Sequence, residues 1–178
     1  MLHNFIPIIM EKTTAKSLII TYGLLLGILS VFVSVLKFVF SSNIMERSFL
    51  ESAVGFLLIV AFIVIPIMTY KKSNGTLLSL SDAFKIGLGV SAIGGVIGAV
   101  YFFIFANYIQ PDFPEKLLNM QMAEAMKNPN VSHEDLQKGM EIAKKFMMPM
   151  AYAMIVITNM FFGFLTSLVA GLILRKQQ

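Results

Sequence analysis

The sequence predicts an all-α integral membrane protein with four transmembrane helices and an amphipathic helical hairpin between the third and the fourth. Of its 178 residues, 57% are hydrophobic and 13% are charged, whereas soluble domains carry about 25% charged residues. A soluble protein of this size exposes too much surface to hide so much apolar material from water. The charged residues also leave four long uncharged runs in the chain, and these runs are the second basis of the prediction.

Each uncharged run is close to or longer than the about 20 residues that a helix needs to cross the hydrocarbon core. The runs are continuous and rich in Leu, Ile, Val and Phe, whereas strands of a membrane barrel alternate apolar and polar residues. Lipid offers no partner for backbone N–H and C=O groups, so each run is predicted to be helical. The predicted spans are residues 15–38, 51–70, 83–108 and 148–174.

The spans form one predicted domain, residues 15–174, between two short ends. Residues 1–14 are a predicted N-terminal extension, in which Met10 is an alternative initiator to Met1. Residues 175–178 form a basic tail.

The connection between the second and third spans carries two local signals. The Asn74-Gly75 pair predicts a turn. Ser79 and Asp82 have the S-x-x-D spacing of a capping box, so the third helix is predicted to begin there.

The connection between the third and fourth spans, residues 111–147, is longer and richer in charge, and an Asn128-Pro-Asn130 segment interrupts it. Apolar residues recur at helical spacing on both sides of this break, at Leu118, Met122 and Met126 and then at Leu136, Met140, Ala143 and Met147. We therefore expect two amphipathic helices that form a hairpin outside the hydrocarbon, with Pro149 separating the second from the fourth span. The apolar face of the hairpin would rest on lipid, on the bundle or on a partner.

Small residues recur at intervals of four in three of the spans. Such residues let helix backbones approach closely in lipid, and we expect them to pack the helices of this bundle against one another; self-association or a sliding seam in a transporter is the alternative. The predicted helix-packing residues are Gly23, Gly27, Gly87, Ser91, Gly94, Gly95, Gly98, Ala99, Asn159, Gly163, Ser167 and Gly171.

No Asp, Glu, Lys, Arg or His lies near the centre of a predicted span. Ion-coupled transporters commonly keep such a residue, so its absence argues against ion-coupled transport. Asn159 is the best candidate for a polar site inside the bundle, although we expect it to make an interhelical hydrogen bond. Lys37 and Glu51 lie near span ends, where long side chains can reach the headgroup layer.

We expect no catalytic residues, no cofactor and no metal site. Cysteine is absent, the two histidines, His3 and His133, lie far apart, and no hydrolase, metalloprotease or phosphate-loop motif is present. Methionines cluster at Met120-x-Met122 and at 147–150, and thioethers suit Cu(I). We favour instead the use of methionine as a flexible apolar filler on amphipathic helices.

Lys and Arg, which mark the cytoplasmic side of membrane proteins, divide equally between the two sides of a four-span chain, seven on each. The loops on the side of the termini are shorter and more densely basic, so we expect cytoplasmic termini.

Seven segments carry a resemblance to a known family. They are Met10-Glu-Lys-Thr-Thr-Ala-Lys-Ser-Leu, Tyr22-Gly-Leu-Leu-Leu-Gly27, Tyr70-Lys-Lys-Ser-Asn-Gly75, Leu80-Ser-Asp-Ala-Phe-Lys-Ile-Gly-Leu-Gly89, Pro111-Asp-Phe-Pro-Glu-Lys, Lys144-Lys-Phe-Met and Phe161-Phe-Gly-Phe. Over residues 10–176 the chain resembles the bacterial membrane family called domain of unknown function 4199. The resemblance implies a short multi-pass membrane protein of uncharacterised activity, and it carries no catalytic or binding residues to transfer.

The leading functional hypothesis is a non-enzymatic structural or interaction component of an assembly in the bacterial inner (plasma) membrane. The small-residue seams, the amphipathic hairpin and the lack of a catalytic set favour it. Its expected partners are the lipid bilayer and either further copies of the chain or another membrane protein, with no nucleic acid. The alternative is a small transporter or channel, or a transporter subunit, which the glycine-rich third span and Asn159 favour.

Overall fold

The computed structural model describes residues 14–40, 49–127 and 133–175, without the side chains of residue 50 and residues 133–137. Within these residues the chain forms α1 (Ala15–Phe40), α2 (Phe49–Ser73), α3 (Leu80–Ile104), a π-helical turn (Phe105–Ile109), α4 (Phe113–Ala125) and α5 (His133–Leu174). Four segments, α1, α2, α3 with the π-helical turn, and α5, are long and apolar enough to cross a membrane. The described residues contain no β-strand. The predicted all-α fold with four membrane-spanning helices is confirmed.

The outside of the bundle is apolar. Large side chains are exposed on every spanning helix, among them Ile28, Leu57, Val100 and Ile157. Soluble monomers rarely expose large continuous apolar surfaces, whereas lipid accommodates them. The predicted extension at residues 1–14 lies almost wholly outside the described residues, as do most of the basic tail and the Asn128-Pro-Asn130 break.

The boundary between α2 and α3 follows the local sequence signals. Gly75 and Thr76 have φ angles of 63° and 68°, and the N–H of Thr76 donates to the carbonyl of Lys71 at 3.0 Å. This is the cap in which a left-handed glycine ends a helix. The Ser79 hydroxyl accepts the N–H of Asp82 at 3.1 Å and donates to the Asp82 carboxylate at 2.6 Å. The predicted cap at Ser79 is confirmed.

α3 lies at the centre of the bundle, where it packs against α1, α2 and α5. We call the end of the bundle that holds the first residue of α1 and the last residue of α5 the proximal end, and the opposite end the distal end. An apolar core fills the proximal half and reaches the middle of α1. It consists of Leu26, Ile63, Ile67, Leu78, Ala83, Ile86, Val90 and Ala170.

Small residues let α3 and α5 approach closely on the proximal side of the middle. A Cβ atom added at Gly87 would collide with the side chain of Ser167, and one added at Gly163 would collide with that of Ser91. The hydroxyl of Ser91, which is fully buried, donates to the carbonyl of Gly87 at 2.8 Å. The seam therefore has room for a hydroxyl but not for a larger side chain.

The glycines of α1 have the same steric role toward α3. A Cβ atom at Gly23 would lie 2.7 Å from the Cβ of Ile93, and one at Gly27 would lie 2.7 Å from the Cβ of Ile97. The seams that the sequence offered for contact with a partner are thus occupied inside this chain.

α5 differs from the expectation for the hairpin. It is one helix from His133 to Leu174 with Pro149 inside it, so the predicted separation at Pro149 is wrong. Proline removes one backbone donor from a helix interior, and the helix continues on both sides of Pro149 in spite of this loss. The second arm of the expected hairpin is therefore the distal part of the fourth spanning helix.

α4, the first arm of the expected hairpin, packs against α5. Its Leu118 is buried and Met122 is half-buried, whereas Met126 is exposed. On α5, Met140, Ala143 and Met147 lie on one half-buried face. At the described positions, buried or half-buried residues lie where helical spacing predicts them, except at Met126, and the side chain of Leu136 lies outside the described part of the chain.

We predict that Gly163→Ala lowers the free energy of unfolding by about 1–3 kcal/mol, because the new methyl group overlaps Ser91. The matched control is Gly55→Ala in α2, where no atom lies within 4 Å of the added Cβ; this change should stabilise the protein by up to about 1 kcal/mol through helix propensity. Unfolding in mixed micelles followed by circular dichroism measures both. Equal effects of the two substitutions would contradict a tight α3–α5 seam.

Candidate functional site

A cavity of about 440 Å³ lies in the distal half of the bundle. Its volume falls within the range of about 300–1,000 Å³ that is typical of small-molecule sites. All four spanning segments and the beginning of α4 contribute to it. The lining residues are Ser30, Val31, Ser34, Lys37, Phe38, Glu51, Ser52, Gly94, Gly98, Tyr101, Phe102, Phe105, Phe113, Ile155 and Asn159.

An ion pair lies at the distal limit of this cavity. The Nζ atom of Lys37 is 2.7 Å from Oε2 of Glu51, and the two side chains are 20% and 38% exposed. The pair joins the last turns of α1 to the first turn of α2. The part of α1 between Lys16 and Lys37 is about 32 Å long, which is close to the thickness of the hydrocarbon core. With Lys16 at the proximal edge of the hydrocarbon, the length of α1 puts the ion pair at its distal edge.

Serine hydroxyls continue the polar lining toward the membrane centre. Ser34 and Ser30 are about one and two helical turns from Lys37 on α1. The Ser34 hydroxyl donates to the carbonyl of Ser30 at 2.9 Å. Such back-bonding satisfies the hydroxyl proton inside the helix and leaves oxygen lone pairs toward the cavity.

Asn159 lies at the inner limit of the cavity. The Cβ atom of Asn159 is 3.2 Å from a Cβ built at Gly95, and Gly95 is about 15 Å of helix from Lys85 at the proximal edge. Asn159 is therefore close to the middle of the bilayer. The cavity extends from the distal edge of the hydrocarbon to about its centre.

The predicted interhelical hydrogen bond of Asn159 is wrong. Its Nδ2 atom donates to the carbonyl of Ile155 in the same helix at 2.9 Å. A short polar side chain reaches its own helix more easily than a neighbour, and Gly95 brings the α3 backbone against the Cβ of Asn159 rather than against its amide. The amide group therefore borders the cavity with one further N–H and its oxygen.

An aromatic cluster forms the distal wall of the cavity around Phe105, the first residue of the π-helical turn. Phe105 is buried, and its ring centroid lies 5.5 Å from that of Phe38, 6.5 Å from that of Phe102 and 5.4 Å from that of Phe113. These rings join α1, α3 and α4. π-helical turns inside α-helices occur frequently at functional sites, and this one brings α4 to the cavity.

Of the predicted helix-packing residues, Gly94, Gly98 and Asn159 line the cavity. Gly98 is the least constrained of the three, since an added Cβ would meet only Ile155 at 3.5 Å. The remaining predicted residues of α1, α3 and α5 lie outside the cavity lining, and Ala99 is half-buried.

Sequence reasoning did not predict that the Lys37–Glu51 pair, Ser30, Ser34 and Tyr101 are parts of one site. One signal was available: Lys37 and Glu51 have opposite charges and flank the short connection between two antiparallel spans. Among the described residues, no three His, Cys, Asp or Glu side chains come together as a metal site would require. Met120 and Met150, from the two methionine clusters, are exposed.

We predict that Lys37→Met and Glu51→Met each lower the free energy of unfolding by about 1 kcal/mol, the upper value for exposed pairs, since this pair is only partly exposed. Each single change leaves one charge at the edge of the hydrocarbon, whereas the double change removes both. The double variant should therefore lose less stability than the sum of the two single variants. A double-mutant cycle by thermal circular dichroism measures this coupling, and strict additivity would rule it out.

Comparison with known proteins identifies a family to which the chain is similar, but no individual related protein. No curated protein and no solved structure matches the chain. Residues 21–176 match the family described as "Protein of unknown function (DUF4199)". The match includes most of α1, the other three spanning segments and every residue that lines the cavity, and it confirms the resemblance seen in the sequence. The chain belongs to the DUF4199 family.

Proposed function

We propose that the protein is a non-enzymatic, ligand-binding component of a small membrane transport system. The observation that carries the proposal is the distal cavity, whose lining includes an ion pair, hydroxyls and an amide and which, by the lengths of its helices, reaches from the distal edge of the hydrocarbon to about its centre. Lipid-facing packing alone does not require hydroxyl, amide and charged groups around a space of this size, because polar groups in hydrocarbon are costly unless they are used.

The two halves of the bundle are packed differently, and this difference supports access of a ligand to the cavity from the distal side. The proximal half is filled by apolar side chains, among them Ile63, Ile67 and Ile86, which are fully buried. A ligand in the cavity would rest above this core. Release toward the proximal side would require α3 and α5 to move along the seam of Gly87, Ser91, Gly163 and Ser167, where the side chains are small.

Because the small-residue seams are occupied inside the chain, transport is now favoured over association, the leading hypothesis from the sequence. Association was favoured because small residues could contact a partner, but those residues contact other helices of the same chain. The lack of a charged residue near the span centres argues against coupling to an ion gradient. It does not argue against binding an uncharged ligand.

The composition of the cavity supports a role without catalysis. Its acid and its base, Glu51 and Lys37, are bound to each other at 2.7 Å. The remaining polar lining consists of hydroxyls and an amide, which can orient a ligand but rarely act as proton carriers near neutral pH. We place the protein in the bacterial inner membrane with cytoplasmic termini, so that the cavity opens away from the cytoplasm.

Single cysteines in this cysteine-free chain test water access to the cavity. We predict that Ser30→Cys reacts with a charged, membrane-impermeant thiol reagent added on the distal side. Ile28→Cys on the same helix, where Ile28 is 60% exposed on the outside of the bundle, should react at least about tenfold more slowly, because the reactive thiolate does not form in lipid. Equal reaction rates would show that the cavity is closed to water.

Uptake by reconstituted vesicles tests transport directly. We expect the protein to accelerate entry of a solute from a broad radiolabelled panel, and modification of Ser30→Cys should abolish this acceleration while treatment of Ile28→Cys should not. Binding without flux would make the protein a receptor subunit that needs a partner. Absence of both binding and flux would contradict the proposal.

The distal part of α5 favours association as a second candidate function. Ile142 and Phe146 are 63% and 49% exposed, and Ile142 lies about 10 Å beyond the distal edge of the hydrocarbon when distances along α5 are taken from Asn159. Exposed apolar residues on one helix face can pair with the same residues of a second copy about a twofold axis.

We predict that Ile142→Cys forms a disulfide-linked dimer in native membranes. The control is Glu141→Cys, which is exposed next to it but turned by about 100° around the helix. A monomer with Ile142→Cys under oxidising conditions, or equal dimer yields for both variants, would exclude this interface.

A further inference from the structure

We infer that the ligand of the distal cavity is an uncharged solute that carries several hydroxyl or amide groups, of about the size of a monosaccharide. This inference rests on the binding role proposed above and gives the chemical class of the ligand. Three features of the cavity support it: the balance of its charges, the chemistry of its inner lining and its size.

The charges of the described lining residues sum to zero. Lys37 and Glu51 contact each other at the distal limit, and no other described residue of the lining is an acid, a lysine or an arginine. An anionic solute would compete with Glu51 for Lys37, and a cationic solute would compete with Lys37 for Glu51. Below the pair, either solute would lie near the middle of the bilayer without an opposite charge, which is unfavourable by several kcal/mol.

The inner lining includes polar groups that offer both donors and acceptors. Ser30 and Ser34 offer hydroxyl oxygens from α1, Tyr101 offers a phenol from α3, and Asn159 offers an amide from α5. These groups come from three different helices and occupy successive depths. A ligand with one polar end, such as a fatty acid or a phospholipid, would place its apolar chain against Asn159 and leave the amide unsatisfied. A ligand with polar groups along its length satisfies the lining at each level.

The remaining wall is apolar and suits the C–H faces of such a solute. Val31, Ile155 and the ring of Phe102 border the same space, and Gly94 and Gly98 keep it open on the side of α3. A volume of 440 Å³ lies in the lower part of the range of small-molecule sites, about 300–1,000 Å³. A monosaccharide or a nucleoside fits this volume together with a few waters.

Binding measurements on the full-length protein in lipid nanodiscs test the inference. The uncharged probes are myo-inositol, glucose and uridine, and the charged probes are alanine as a zwitterion, lactate and phosphate as anions, and choline as a cation. We expect at least one uncharged probe to bind at least about tenfold more tightly than every charged probe, a difference of about 1.4 kcal/mol. Tighter binding of any charged or zwitterionic probe would overturn the inference.

Variants of the lining locate the binding. Asn159→Leu and Ser30→Leu should each weaken binding of the uncharged probe at least about tenfold, whereas Ile157→Leu, which faces outward on the same helix as Asn159, should leave it unchanged. Asn159→Gln keeps the amide and should retain part of the affinity, which separates loss of recognition from loss of folding. Unchanged binding by Asn159→Leu would overturn the inference.

The ion pair supplies a test of the preference for uncharged ligands. Because the inner lining and not the pair sets this preference in our inference, the double variant Lys37→Gln/Glu51→Gln should still bind the uncharged probe at least about tenfold more tightly than every charged probe. Loss of this preference in the double variant would mean that the charges of the pair select the ligand, and the inference would fail. Flux of a charged solute would support the proposed transport role and contradict the inferred ligand class. Binding of uncharged probes without flux would support the ligand class and contradict transport by this protein alone.

Discussion

The close approach of α3 and α5 is the contact on which the rest of the structure depends. Gly87 and Ser91 of α3 interlock with Gly163 and Ser167 of α5, where even one added methyl group would overlap a neighbour. In lipid there is little hydrophobic driving force between helices, so packing at this density supplies the stabilisation. Once α5 is held to α3, the glycines of α1 position that helix on another side of α3, and α2 closes the proximal core against all three.

The cavity is a consequence of where this tight packing ends. Toward the distal end the contacts of α3 loosen, since a Cβ at Gly98 meets only Ile155 at 3.5 Å. There the rings of Phe102 and Phe105 pack with those of Phe38, Phe113 and Tyr152 and border the cavity. The proximal half, where small residues let the helices approach, is therefore tightly packed, whereas the distal half, where aromatic rings lie, contains the cavity.

The sequence is sufficient to predict the features that depend on local or periodic patterns. Charge-free runs predict the four helices because hydrocarbon excludes ionised groups, and Ser79 with Asp82 predicts the start of α3 because a cap is made within a few residues. The cavity was not predictable in the same way, because it depends on space that no residue fills. Asn159 illustrates the limit: the sequence places it inside the bundle, but whether its amide bonds to its own helix or to a neighbour depends on the distance between helices. Pro149 shows the converse, since a local rule predicted a break that the surrounding helix overrides.

The positions of the charges connect this architecture to a binding role. A bundle that only had to span lipid could keep its ionic groups in the headgroup layer and fill its interior with Leu and Val. Here Lys37 turns toward Glu51 at the edge of the hydrocarbon, and hydroxyls continue inward from that pair to an amide near the bilayer centre. A neutralised pair above uncharged donors and acceptors lowers the cost of bringing a polar but uncharged molecule into the membrane, while it offers a lone ion no compensating charge. The proposed selection against ions and the proposed acceptance of neutral solutes therefore follow from the same arrangement.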